Sequence, residues 1–192
     1  MLKHHWKRLF FLLLGLNLMV MVILLILFNL PIEDRAIPDQ GISEEESISL
    51  AIKTNKKDIN KLIDHYIRKE SGDFDYKVYL DESEVVLLGE IPILGMMIDM
   101  KMTFEPSVLK NGDLLLEQRQ FSLGRFHLPV PILLKIMQES YSFPEWITIQ
   151  PKQQQIYVAL NQMKLKSDSR LKVKKFDLNK DQFEFIYEVP LK

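Results

Sequence analysis

The apolar positions of this chain follow three different rhythms. From Leu9 to Phe28 they are continuous, LFFLLLGLNLMVMVILLILF, interrupted only by Gly15 and Asn17. At about 1.5 Å per helical residue this run spans roughly 30 Å, the hydrocarbon thickness of a bilayer. Lys3, Lys7 and Arg8 precede it, with His4 and His5 between them, while Glu33 and Asp34 follow. Clustered basic residues mark the cytoplasmic flank. The expected topology is therefore a cytoplasmic tail over 1–8, a transmembrane anchor over 9–30, and an extracellular C-terminal remainder on a single-pass protein of the cell membrane. A cleaved signal peptide needs a shorter apolar region and a small-x-small site. Phe28-Asn29-Leu30-Pro31-Ile32-Glu33-Asp34-Arg35-Ala36 supplies neither, so the segment reads as an uncleaved signal-anchor. Asn17, a polar side chain near mid-membrane, either pairs with a second copy in a homodimer, worth about 1 kcal/mol, or is tolerated alone.

The second rhythm is helical. Residues 31–42 read as a linker, with Pro31, Pro38 and Gly41 and no apolar period. Ser43 with Glu46 has the spacing of a capping box, and Ile48, Ile52, Ile59, Leu62, Ile63, Tyr66 and Ile67 follow a stripe near 3.6. Either one helix runs from Ser43 to about Lys69, or Thr54 and Asn55 divide it and cap a second one. Ser71-Gly72 ends it.

From Asp73 the period becomes two. Tyr76, Val78 and Leu80 share one strand face, followed by a turn at Asp81–Ser83. Val85-Val86-Leu87-Leu88 is apolar on both faces, as a central strand would be. Met96, Ile98, Met100, Met102 and Phe104 alternate with Met97, Asp99, Lys101, Thr103 and Glu105. Asn111-Gly112 predicts a type I′ hairpin turn into Leu114–Leu123. Two later runs change face partway: Ile156, Val158 and Leu160 hand over to Met163 and Leu165, and Leu171 and Val173 hand over to Phe176 and Leu178. A β-bulge supplies the extra residue in each case. Asn179-Lys180-Asp181 turns into Phe183, Phe185, Tyr187 and Val189. One segment departs from this pattern: Leu128-Pro129-Val130-Pro131 leads into a short helix with Pro131 first, Leu133, Ile136, Met137 and Ser140 sharing a face, followed by Phe143 and Trp146. The fold class is α+β: after the anchor, one domain over 43–192 of one or two helices on a curved, bulged antiparallel sheet.

Composition narrows the setting. Residues 31–100 carry 8 basic and 16 acidic groups, and residues 101–192 carry 14 and 10. Such halves either pair with one another or turn the basic half to an anionic lipid or polymer. Cysteine is absent, so an exported domain of this size stands on its core alone, a habit of Gram-positive envelope proteins.

The anchor, Asn60-Lys61-Leu62-Ile63, the Asn111-Gly112-Asp113 turn, Gly124 with Leu128-Pro129-Val130-Pro131, and Pro144-Glu145-Trp146-Ile147 before Pro151 together resemble the YpmS family. These are single-pass membrane proteins of low-GC Gram-positive bacteria, and the resemblance implies a topology and no catalytic residue. The order of elements, an early helix followed by a long antiparallel sheet, also resembles the tubular lipid-binding (TULIP, SMP-like) domains of bacterial envelopes. That likeness is one of fold and implies an apolar groove.

Catalytic chemistry is poorly provided for. There is no Cys, no G-x-S-x-G elbow and no Gly-rich phosphate loop, and His65 and His127 are the histidines of the domain. Asp73, Asp75, Asp81, Glu82 and Glu84 lack metal-loop spacing and suit a solvated hairpin. The reading is therefore of a non-enzyme with no cofactor, no metal and no nucleic-acid partner. Two groups remain as candidate binding residues. Met96, Ile98, Met100 and Met102, with Leu133, Ile136, Met137, Phe143 and Trp146, either line a lipid groove or pack an ordinary core. Lys164, Lys166, Arg170, Lys172, Lys174 and Lys175 either hold anionic headgroups or wall polymer, or keep an edge strand from sticking. The expected function is binding of a lipid or other apolar cell-envelope component. The alternative is a structural module that docks another envelope protein through a sheet edge or the basic strand.

Overall fold

Lys3–Phe28 forms one uninterrupted helix, α1, and its stretch Trp6–Ile23 is long and apolar enough to cross a membrane. The computed structural model describes residues 3–28, 33–37, 47–70, 76–93, 95–125, 127–141, 143–163, 165 and 168–191. Two units emerge, Met1–Ile32 and Glu33–Lys192. Within α1, the Asn17 amide donates to the Leu13 carbonyl at 2.9 Å, so this NH₂ has a partner inside its own helix.

The second unit is an antiparallel α+β fold whose strands form two sheets. Strands β1 (Ser47–Thr54), β8 (Arg170–Asp177) and β9 (Gln182–Pro190) make a three-stranded sheet in the order β1-β9-β8. Strands β2 (Tyr76–Leu80), β3 (Val85–Ile93), β4 (Met96–Val108), β5 (Leu114–Leu123), β6 (Ile147–Gln150) and β7 (Gln155–Val158) make a curled six-stranded sheet, ordered β2-β3-β4-β5-β7-β6. Helices α2 (Lys56–Glu70) and α3 (Val130–Ser140) complete it. Ile59 of α2, Leu133, Leu134 and Met137 of α3, Met102 and Phe104 of β4, and Phe183 of β9 meet in one core.

Several local expectations are corrected. Ser47–Thr54 is a strand and not the start of a helix. Ile48 and Ile52 fit both periods, but Leu50 between them fits only period two, and Val189, Tyr187 and Phe185 of β9 stand opposite these three. The capping box proposed at Ser43 and Glu46 lies outside the described residues, as do Ser71, Gly72, Asp73 and Asp75. The helix that does form, α2, starts at Lys56, directly after Asn55, whose Oδ1 accepts the Asp58 N–H at 3.0 Å. Asp181, in the β8–β9 turn, accepts the Lys56 N–H at 2.5 Å and adds a carboxylate to the positive end of α2.

The Asn111-Gly112 turn is not type I′, which needs φ above zero at both central residues. Only Gly112 has it, at +84°. Asn111 is instead held by its side chain: its Oδ1 accepts the Asp113 N–H and its Nδ2 donates to Asp113 and to the Tyr157 hydroxyl, at 3.0–3.1 Å. The strand through Ile156 also ends early. The chain leaves β7 at Val158 and enters a short 3₁₀ helix, Leu160–Gln162, where Asp113 Oδ1 accepts the Asn161 N–H at 3.3 Å. Met163 and Leu165 are therefore not strand residues. The face change in β8 does occur through a register shift between Val173 and Lys175. A second shift, between Thr103 and Phe104 of β4, is bridged by the Thr103 hydroxyl, which accepts the Gln120 N–H. Helix α3 begins at Val130, one residue before Pro131, and buries Leu134 as well as Leu133 and Met137.

Residues 33–37, read as part of a linker, are bound to the domain. Asp34 Oδ1 accepts the Lys152 N–H at 2.8 Å, and the Gln150 side chain reaches the Arg35 carbonyl.

Candidate functional site

The methionine strand divides along its length. Met100 and Met102 are 3% and 0% exposed, and Leu133 and Met137 of α3 are as closed. Side chains this closed pack within the core and line no open groove on the surface. Ile98 and Ile136 are half-buried against that core. Phe143 stacks tilted on Tyr76 and Tyr141, and Trp146 meets Tyr66 of α2 edge-on at 6.2 Å. Both aromatics thus pack onto neighbouring rings, and Phe143 also lies against the core that holds Met100, Met102 and Met137.

Apolar surface lies elsewhere. At the β3–β4 hairpin tip, Pro92, Met96 and Met97 stand in solvent, with the two methionines 51% and 56% exposed. Gly95, at φ +79°, makes the turn. A larger surface lies on the three-stranded sheet. Its register aligns Ile48, Leu50 and Ile52 of β1 with Val189, Tyr187 and Phe185 of β9, and Leu171 and Val173 of β8 with the last two. At one end this face enters the core through Val173 and Phe183; at the other, Leu50 is 53% exposed. Covering the open half of each β1 side chain is worth about 1 kcal/mol. Sequence reading missed this face because Ile48 and Ile52 were assigned to a helical stripe. The available signal was Leu50, which completes an alternation matching that of β9.

The opposite face of the same sheet is charged and paired. Lys172 Nζ lies 2.8 Å from Glu188 and Lys174 Nζ 2.9 Å from Glu184, while Lys175 donates to Gln182 Oε1 at 2.5 Å. The Lys174 ammonium holds the Glu184 carboxyl below the ordinary carboxylate range. Arg170, on the same strand, is half-buried. Lys164 and Lys166 lie outside the described residues.

His65 and His127 are exposed, the first on α2 and the second in the segment before α3. Among the described residues no three His, Cys, Asp or Glu side chains gather as metal ligands. Among the described residues the most enclosed polar side chain is Asp113, fully buried, which accepts the Tyr157 hydroxyl and ties the β4–β5 turn to β7 and the 3₁₀ helix. Its partners are structural. This surface can bind by apolar contact, and its ion pairs are already made internally.

Residues 4–189 match the family described as "Uncharacterized protein conserved in bacteria (DUF2140)". The chain is also similar to the "Uncharacterized protein YpmS" of Bacillus subtilis (strain 168), 34% identical over 186 residues, 96% of this chain and 97% of that one. No solved structure matches it. A match across nearly the whole length, apolar N-terminal helix and domain together, means that the chain belongs to this YpmS-like family of bacterial proteins.

Proposed function

We propose that the protein is a membrane-anchored, non-catalytic binding protein of the outer face of a bacterial cytoplasmic membrane, engaging a lipid or another apolar envelope component. The observation that carries this reading is the apolar face of β1 and β9, which among the described residues is open at Ile48, Leu50 and Ile52. Exposed apolar surface of this continuity marks a binding or membrane-contact site in a folded protein. The bare hairpin tip at Met96 and Met97 adds a second contact of the same character.

The test is photolabelling of the full chain in membranes containing a diazirine-tagged acyl lipid. The expected result is label in peptides of β1 and β9 in addition to α1, reduced several-fold by Leu50→Asp. Label confined to α1 would overturn the reading. A second reading, docking of another envelope protein, is favoured by one specific observation: β1 is an outer strand with nearly every residue exposed.

A further inference from the structure

The two sheets have four outer strands, and among the described residues three are blunted. On β2, the Asn60 side chain of α2 both accepts the Leu80 N–H and donates to the Leu80 carbonyl, at 2.7 and 3.0 Å. Strand β6 is only four residues long, and at its last residue the Gln150 side chain donates to the Arg35 carbonyl. On β8, the Val173 N–H is taken by the Gly112 carbonyl at 2.7 Å, a register shift bends the strand, and Arg170, Lys172, Lys174 and Lys175 line it. These are the devices by which folded proteins prevent edge-to-edge pairing. Among the described residues, strand β1 has none of them. It runs eight residues, Ser47–Thr54, pairs with β9 without a register shift, contains no Pro or Gly, and carries one charge, Lys53.

We infer that β1 is a homodimerisation edge, pairing antiparallel with β1 of a second copy about a two-fold axis through Leu50. The argument for a second copy is the strand's own sequence. Ser47-Ile48-Ser49-Leu50-Ala51-Ile52-Lys53 reads nearly the same in both directions about Leu50. Two-fold pairing sets Leu50 against Leu50 and Ile48 against Ile52 of the other copy. Ser49 then meets Ala51, and Ser47 meets Lys53. Apolar side chains oppose apolar ones, small oppose small, and no like charges face each other. The product is a six-stranded sheet, β8-β9-β1-β1-β9-β8. Both of its new edges are the blocked β8, so assembly closes at two copies and does not propagate into a fibre.

One strand pair is a small interface, below the roughly 1,200 Å² typical of stable complexes in solution. Confinement of anchored copies to one membrane raises their effective concentration and offsets this. The inference takes only the membrane anchor from the proposed function; it uses the backbone edge of β1 and leaves open what the apolar face binds.

The chain contains no cysteine, so single-cysteine variants of the full protein report unambiguously in membrane vesicles treated with copper phenanthroline. Leu50→Cys places two thiols directly opposite, with Cα atoms about 4.5–5.5 Å apart, within disulfide reach. The expected result is a dimer band several-fold above that of Lys174→Cys on β8. Ile48→Cys places its thiols four residues apart along the pair, roughly 13 Å, and stays monomeric. The double variant Ile48→Cys/Ile52→Cys regains the dimer. Equal crosslinking of Leu50→Cys, Ile48→Cys and Lys174→Cys would overturn the inference, as would a Leu50→Cys adduct with a protein of different mass. Lipid label on β1 without the Leu50→Cys dimer would leave the proposed function standing and remove only this inference.

Discussion

Met97 and Met102 lie five positions apart on one strand, and their environments are opposite: the first stands in solvent and the second is fully enclosed. Met102→Ala removes packed volume that the curled sheet cannot refill, with an expected loss of about 3 kcal/mol in urea denaturation. Met97→Ala is expected to change stability by less than about 0.5 kcal/mol. Tyr141 has a pH signature of its own. Burial pushes its phenol up from the ordinary value near 10, and the neighbouring Glu90 charge adds to the effect. A folded value above the unfolded one means that the native state holds the proton longer. Stability is therefore intact below pH 10 and falls as pH rises through the folded value. Denaturation midpoints between pH 8 and 11 are expected to decline less steeply in Tyr141→Phe. The methionine alternation was legible in the sequence, because period two is a local property. Which end of it would be covered was not, because that depends on where Leu133 and Met137 arrive from a helix some thirty positions later.

Elements show the same limit. Helix α3 was legible because Pro131 and the spacing of Leu133 and Met137 act within one segment. Strand β1 was not, since Ile48 and Ile52 satisfy two periods and the deciding partners lie more than 130 residues away on β9. The β4–β5 turn was half legible. Asn-Gly marks a turn, but its type follows from Asp113 and Tyr157, which occupy the Asn111 side chain. Gly112 is the point where this turn meets the other sheet. A Cβ there would lie 2.6 Å from the Lys172 Cβ, at a φ of +84°, and the Gly112 carbonyl accepts the Val173 N–H. Gly112→Ala is expected to destabilise by at least about 2 kcal/mol through the left-handed backbone and the clash together. Amide exchange at Val173 should accelerate beyond that global loss. Unchanged exchange at Val173 would mean that the two sheets do not depend on this junction.

For the whole molecule, the docked segment 33–37 sets where the folded unit begins. A chain starting at Glu33 keeps the Asp34–Lys152 and Gln150–Arg35 hydrogen bonds, and one starting at Pro38 loses both. Thermal melts of the two are expected to differ by a few degrees, corresponding to about 1–2 kcal/mol. The charge distribution is also a property of the whole. Residues 31–100 are acidic and residues 101–192 basic in the linear chain, yet β8 is laid beside a strand that answers it. With Lys172 against Glu188 and Lys174 against Glu184, that part of the surface is a row of dipoles with little monopole. Its field fades within a Debye length of about 8 Å at physiological salt, too short to gather a distant polyanion. The lysines would become visible from afar only if their neighbours were neutralised. Glu184→Gln with Glu188→Gln, touching no basic residue, would turn a self-cancelling ladder into a cationic stripe.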